Sequence, residues 1–181
     1  MTMSPTGDEL DYEFTTEDPT NVQTNMYWNV AEKGAAYING VTASNLPKNF
    51  TVSDWHNYSI SWSPAAIKWG IDGKTIRTLK RSSTKHNGVY HYPATPSRVQ
   101  LSIWNAGGPD NALGTRQWAG GAPKWSQADS TGAFTAEIAS ITIGCNDPDT
   151  LGAGKAYDFS KHTDPESGEP KVIASDRSTS I

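Results

Sequence analysis

Three carboxylates stand at every second position in the run Asp8-Glu9-Leu10-Asp11-Tyr12-Glu13-Phe14. In a β-strand, alternation sends Glu9, Asp11 and Glu13 to one face and Asp8, Leu10, Tyr12 and Phe14 to the other. At a rise of ~3.4 Å per residue, the Cα atoms of Glu9 and Glu13 lie about 13 Å apart. Two glutamate side chains leaning together on a twisted strand shorten that gap substantially. A retaining glycosidase needs two carboxyl groups ~5–5.5 Å apart, one to attack the anomeric carbon and one to protonate the leaving oxygen. The spacing reaches that geometry. An aspartate between two glutamates can also hold a shared proton, which pushes the neighbouring pKa values apart. The plain alternative is an acidic, solvent-facing strand surface. Against it, like charges set directly opposite each other in a sheet cost a few tenths to ~1 kcal/mol, and apolar Leu10, Tyr12 and Phe14 commit the other face to burial.

The elements that must position this run are short and alternating. Gly, Pro, Asn and Asp bound them, and no segment of three or more turns keeps a helical period. Strands are expected over Asp8 to Thr15, Val22 to Trp28, Ala35 to Gly40, Trp55 to Trp62, Ala66 to Ile71, Lys74 to Lys80, Arg98 to Trp104 and Phe134 to Gly144. Asp72-Gly73, set between two alternating runs, marks a hairpin with a tight primed turn. Ile67, Trp69 and Ile71 share one face of it, which calls for a second sheet and hence a sandwich. After Asn146 the chain becomes polar and poor in large apolar residues, as expected of a disordered or loosely docked tail over 147–181.

Composition narrows the partners. With 15 basic and 19 acidic residues and no basic run, nucleic acid is excluded as a natural ligand. Seven Trp and seven Tyr accompany only four Phe, and aromatics with a polar edge suit a surface that is apolar on one side and wet on the other, such as a sugar ring. Cys145 stands alone, so neither an internal disulfide nor a thiolate metal cluster can form, and His56, His86, His91 and His162 lack metal-ligand spacing. No metal and no cofactor are expected. No stretch approaches the ~20 apolar residues of a membrane span, residues 1–7 carry no secretory signal, and the end carries no lipid-anchor signal. Asn49-Phe50-Thr51 and Asn57-Tyr58-Ser59 fit the N-glycosylation acceptor pattern.

The acidic run resembles the signature of glycoside hydrolase family 16, most closely its fungal Crh branch of chitin to β-glucan transglycosylases. Later segments agree in order: Val22 to Tyr27, Trp55 to Trp62, Ile67 to Lys74, Thr95 to Trp104 and Gly114 to Gly121. The resemblance covers roughly Asp8 to Cys145. The resemblance implies an antiparallel β-sandwich of the concanavalin-like jelly-roll type. It casts residues 1–146 as the C-terminal portion of the catalytic domain, the fold being incomplete at the N-terminus because relatives carry a signal peptide and further strands ahead of the catalytic one. It also implies that Glu9 is the nucleophile, Asp11 the carboxylate that tunes it, and Glu13 the general acid/base.

Gln23 and Asn25 share a strand face, and their amides can both donate to and accept from sugar hydroxyls. By the same resemblance Gln23, Asn25, Tyr27, Trp104 and Trp118 line the substrate. Where the family often reads Leu-Trp-Pro-Gly-Gly, this chain has Ile103-Trp104-Asn105-Ala106-Gly107-Gly108, which alters the loop beside the cleft. The implied enzyme is a monomer of the cell wall that cleaves chitin and passes it to β-glucan or chitin. Two alternatives stay open: a β-1,3(4)-glucan hydrolase of the same family, and a non-catalytic carbohydrate-binding fragment.

Overall fold

Alternation in the first two runs is realised as an antiparallel pair. The computed structural model describes residues 1–29, 41–43, 45–145, 154, 156–159 and 171–176. The strands are β1 (Thr2–Met3), β2 (Glu9–Glu13), β3 (Gln23–Tyr27), β4 (Val41–Thr42), β5 (Tyr58–Trp62), β6 (Ala66–Ile71), β7 (Lys74–Lys80), β8 (Lys85–His86), β9 (Val89–Tyr90), β10 (Arg98–Val99), β11 (Ala156–Asp158) and β12 (Ile173–Ser175). One sheet has the order β10-β1-β2-β3-β4, a second has β5-β6-β7, and β8-β9 and β11-β12 are two-stranded ladders. Every pairing is antiparallel. A single short α-helix, α1 (Leu113–Trp118), lies in the described residues. The chain is an all-β sandwich of the jelly-roll kind, as the sequence implied.

The expected hairpin is present. Asp72 (φ 52°) and Gly73 (φ 77°) both adopt positive φ, and Ile71 pairs with Lys74 across them, the two-residue primed turn whose twist matches the flanking strands. Ile67, Trp69 and Ile71 are fully buried and pack with Leu10, Val22, Met26, Phe50 and Ile76. Each such side chain contributes about 1.5–3 kcal/mol through burial, so the contact between the two sheets is the main source of stability.

Polar bolts cross that core and fix β2 and β3 in place. The Trp69 indole N–H donates to the Asp11 carbonyl at 3.0 Å. The Tyr12 hydroxyl reaches the carbonyls of Gly70 at 2.8 Å and Ser59 at 3.0 Å. The Arg77 guanidinium lies 4.5 Å above the Trp69 ring and donates to the Thr24 carbonyl at 2.7 Å and its hydroxyl at 2.9 Å. Gly70 leaves room here for the Ser59 hydroxyl, which a Cβ would meet at 2.7 Å and force to shift.

Two expected strands are not realised as such. Of Arg98 to Trp104 only Arg98–Val99 is paired, and Leu101, Ile103 and Trp104 are 56%, 59% and 58% exposed. Phe134 to Gly144 contains no strand, and Ile138, Ile141 and Ile143 are exposed. Both segments carry strand-like alternation, but beyond residues 98–100, which lie along residues 1–3, no described strand runs beside either to accept its backbone hydrogen bonds, and a strand exists only as part of a ladder. The expected strand over Ala35 to Gly40 lies outside the described residues. In the polar region after Asn146, β11 and β12 form a small ladder of their own. Among the described residues no group of three or more His, Cys, Asp or Glu is placed to hold a metal, and no helix is long and apolar enough to cross a membrane.

Candidate active site

The register of β2 against β3 assembles the site. Glu9 pairs with Tyr27, Asp11 with Asn25 and Glu13 with Gln23, so by alternation all six side chains share the face turned away from the Trp69 core. A single ladder thus brings onto one patch every candidate site residue of the sequence except Trp104 and Trp118.

Burial grades along the row. Asp11 is only 3% exposed and Asn25 4%, whereas Glu9 and Glu13 at its ends are half-buried. Burial, followed by the charges of Glu9 and Glu13, pushes the Asp11 carboxyl up to about 8. Asp11 Oδ2 is buried with no donor turned to it, and the Asp11 carboxyl is hydrogen-bonded to that of Glu9. A proton on Asp11 accounts for both facts, since it supplies the donor that two facing carboxylates lack. Glu9 is also raised by burial, and its bond to Asp11 opposes that rise. Glu13 is raised by burial and then by the charge of Glu9. All three carboxyls are thus shifted toward the protonated form, the buried central one furthest.

The β3 partners hold these groups. The Asn25 side chain accepts the Met26 amide N–H through Oδ1 at 2.9 Å, which leaves its NH2 to hydrogen-bond Glu13 and Tyr27. Gln23 turns its oxygen to the Trp118 indole, which donates to it at 2.9 Å. Half-buried Trp118, at the end of α1, is thereby held beside the Glu13 end of the row. Trp104 stacks on it with ring centres 6.3 Å apart and planes 27° apart. Gly120 and Gly121 turn the chain away after α1 with φ of 79° and 91°. The altered loop packs directly on that turn, where a Cβ at Gly107 would run into the Gly121 carbonyl. The two indoles, Trp104 exposed and Trp118 half-buried, form an aromatic ledge next to the carboxylates.

The sequence pattern gave no sign of a small polar hollow of about 70 Å³ beyond Glu13, lined by Glu13, Thr15, Asp18, Asn21, Val22, Gln23 and Thr42. Its lining comes from the β2–β3 connection and the β4 edge, where no periodic pattern marks function. A larger hollow of about 450 Å³ lies on the other sheet at Pro64, Lys80, Arg81 and Tyr90 and plays no part in this site.

Comparison with known proteins finds relatives of one family. The profile of glycosyl hydrolases family 16 matches residues 1–120. The chain is 45% identical over 164 residues to Crh-like protein 2 of Aspergillus fumigatus, covering 87% of this chain and 36% of that protein. It is 37% identical over 149 residues to Congo red hypersensitive protein 2 of Saccharomyces cerevisiae, covering 80% of this chain and 31% of that protein. Among solved structures, a Crh5 transglycosylase in complex with NAG superposes with a TM-score of 0.59 at 34% identity, covering 69% of this chain and 49% of that one. The chain thus spans about a third of the length of these curated relatives and about half of the solved chain.

Proposed function

Because the chain belongs to glycosyl hydrolases family 16, we propose that it provides the catalytic strand of a retaining fungal cell-wall enzyme that cleaves chitin and transfers it to β-glucan. Residues 1–146 act as the C-terminal portion of the catalytic domain, and 147–181 form a polar tail outside it. The protein works outside the cell, at the wall, as a monomer. The observation that carries the reading is the row Glu9, Asp11, Glu13 on one strand face, facing Tyr27, Asn25 and Gln23, with its central carboxyl buried.

In the first step Glu9 attacks the anomeric carbon while Glu13 gives its proton to the departing oxygen. A bond forms from Glu9 to carbon, the glycosidic bond breaks, and the negative charge passes from Glu9 to Glu13. Asp11 lies between them and faces one negative neighbour at either stage, so it keeps its proton and steadies whichever group is ionised. In the second step Glu13 takes the proton of an acceptor hydroxyl, which displaces Glu9 from the sugar. Transfer results when that hydroxyl belongs to a glucan, hydrolysis when it belongs to water. Trp118 and Trp104 offer apolar faces to sugar rings, and Gln23, Asn25 and Tyr27 hydrogen-bond their hydroxyls.

Incubation with labelled chitin oligosaccharide and β-glucan tests the reading. Label appears in the glucan, and Glu13→Gln lowers that transfer by about 10²–10⁴-fold. Hydrolysis products alone would assign a glucanase-type activity instead. Binding without product, unchanged by Glu9→Gln and Glu13→Gln, would reduce the chain to a carbohydrate-binding module.

A further inference from the structure

A fourth carboxylate, absent from the proposed chemistry, is as deeply buried as Asp11. Asp8 immediately precedes Glu9, lies on the opposite face by alternation, and is 3% exposed. Its Oδ2 accepts the amide N–H of Ala94 at 2.9 Å, the amide N–H of Thr95 at 3.1 Å and the hydroxyl of Thr95 at 2.6 Å. Its Oδ1 accepts the amide N–H of Asn29 at 3.0 Å. The backbone of the same residue is tied on both sides to Ser4, whose N–H donates to the Asp8 carbonyl at 2.9 Å and whose hydroxyl accepts the Asp8 N–H at 3.0 Å. Hydroxyls of Ser4, Thr6 and Thr95 then form a chain, with spacings of 2.9 and 3.0 Å.

Three properties of this arrangement reach beyond anchoring. All four groups around the carboxylate are donors, so a side chain with two acceptor oxygens suits the position and an amide does not: Asn would turn an NH2 toward an N–H. The donors come from the exit of β3 and from the segment entering β10, so one side chain pins both neighbouring segments at the level of Glu9. The Ala94–Thr95 segment also leads through β10 to Trp104, so the clamp ties the carboxylate row to one half of the aromatic ledge.

We propose that Asp8 is a positioning residue that holds Glu9 in register with Asp11 by clamping the start of β2 to Asn29 and to the Ala94–Thr95 segment. Glu9 is the first residue of its strand, paired with Met3 and Tyr27 but with no ladder pair before it, so its height relative to Asp11 also depends on what grips Asp8. Without the clamp, Glu9 drifts, its hydrogen bond to Asp11 lengthens, and the proton on Asp11 is held less firmly. The inference rests on the proposed roles of Glu9 and Asp11, but its central consequence, the coupling of the two carboxyls, can be read without turnover.

The test is ¹³C-carboxyl NMR titration of the whole chain, wild type against Asp8→Asn, Thr95→Val and Thr95→Ser. Thr95→Val keeps the charge of Asp8 and removes only its shortest hydrogen bond, which separates positioning from loss of a nearby charge. In Asp8→Asn and in Thr95→Val the Asp11 midpoint falls by about half a pH unit or more, and Thr95→Ser restores the wild-type curve. In the transfer assay the same two variants lose kcat about tenfold or more while KM stays within about twofold, the pattern of an interaction that matters in the transition state. A folded Asp8→Asn or Thr95→Val with wild-type Glu9 and Asp11 titrations would overturn the proposal and leave Asp8 a fold anchor. If Asp8→Asn does not fold, the Thr95 pair decides alone. If wild type shows no turnover, the proposed function fails, while the titrations still decide whether the clamp couples Glu9 to Asp11.

Discussion

Two regions of this chain have nearly the same sequence texture and opposite fates. Glu9 to Glu13 and Phe134 to Gly144 both alternate apolar with polar or small residues. The first is a strand with a partner on each side, an apolar face of Leu10 and Tyr12 turned to the second sheet, and hydrogen bonds to that sheet through Trp69 and Tyr12. The second has no ladder partner among the described residues and leaves Ile138, Ile141 and Ile143 more than half exposed. Alternation states which face of a strand will be apolar, but only a neighbouring strand and an opposing sheet turn that statement into burial. The carboxylate row is held by the core underneath it, and carboxylates on the second region's backbone would have no such footing.

The most severe break of this contrast comes from its two sets of apolar residues. Trp69→Ala removes a fully buried indole and strands the Asp11 carbonyl, and it lowers stability by about 3–5 kcal/mol. Ile141→Ala, from the alternating but exposed segment, changes stability by no more than about 0.5 kcal/mol. Urea denaturation of both variants checks the pair, and equal losses would mean that Phe134 to Gly144 is as well packed as β2.

A smaller effect follows from the ledge, which lies between the two extremes. Gly107→Ala forces a methyl group against the Gly121 carbonyl and costs about 1–3 kcal/mol through local overpacking. Separation of Trp104 from Trp118 then raises KM for oligosaccharides several-fold with little change in kcat. Steady-state kinetics beside thermal melts read the two effects separately.

What the sequence disclosed follows the same line. The strand face of Glu9, Asp11 and Glu13, the face of Ile67, Trp69 and Ile71, and the Asp72-Gly73 turn were all legible, because each rests on period 2 or on a two-residue turn signal. Asn87-Gly88 carries the same signal between β8 and β9, with φ of 49° and 88°, and could have been found by the same rule. The Asp8 clamp was not legible, since its donors are backbone N–H groups 21, 86 and 87 residues away. The bond from Trp118 to Gln23 spans 95 residues and was equally hidden, although both residues were named. The missing ladders of 101–104 and 134–144 escaped for the complementary reason: local pattern says nothing about whether a partner lies alongside.

The gentlest probe of the contrast is titration of the buried row. The Asp11 carboxyl titrates near 3.9 in an unfolded chain and at about 8 in the fold. Between these values the native state holds a proton that the unfolded state has released. Stabilisation from this group is therefore complete below about 3.9 and is lost as the pH rises toward 8, so Tm falls across that window. Asp11→Asn has no charge to lose and flattens the slope, and the raised Glu9 and Glu13 leave a residual slope of the same sign. Calorimetry at several pH values measures both.

The central claim is that Glu9 becomes covalently bound to the donor sugar. An activated chitin-oligosaccharide donor, whose leaving group needs no proton, is added to Glu13→Gln so that the second step is slow, and the protein is digested for peptide mass spectrometry. The expected product is a peptide heavier by one donor chain, with the modification on Glu9 and absent from Glu9→Gln. Labelling of another residue, or full turnover by Glu9→Gln, would contradict it.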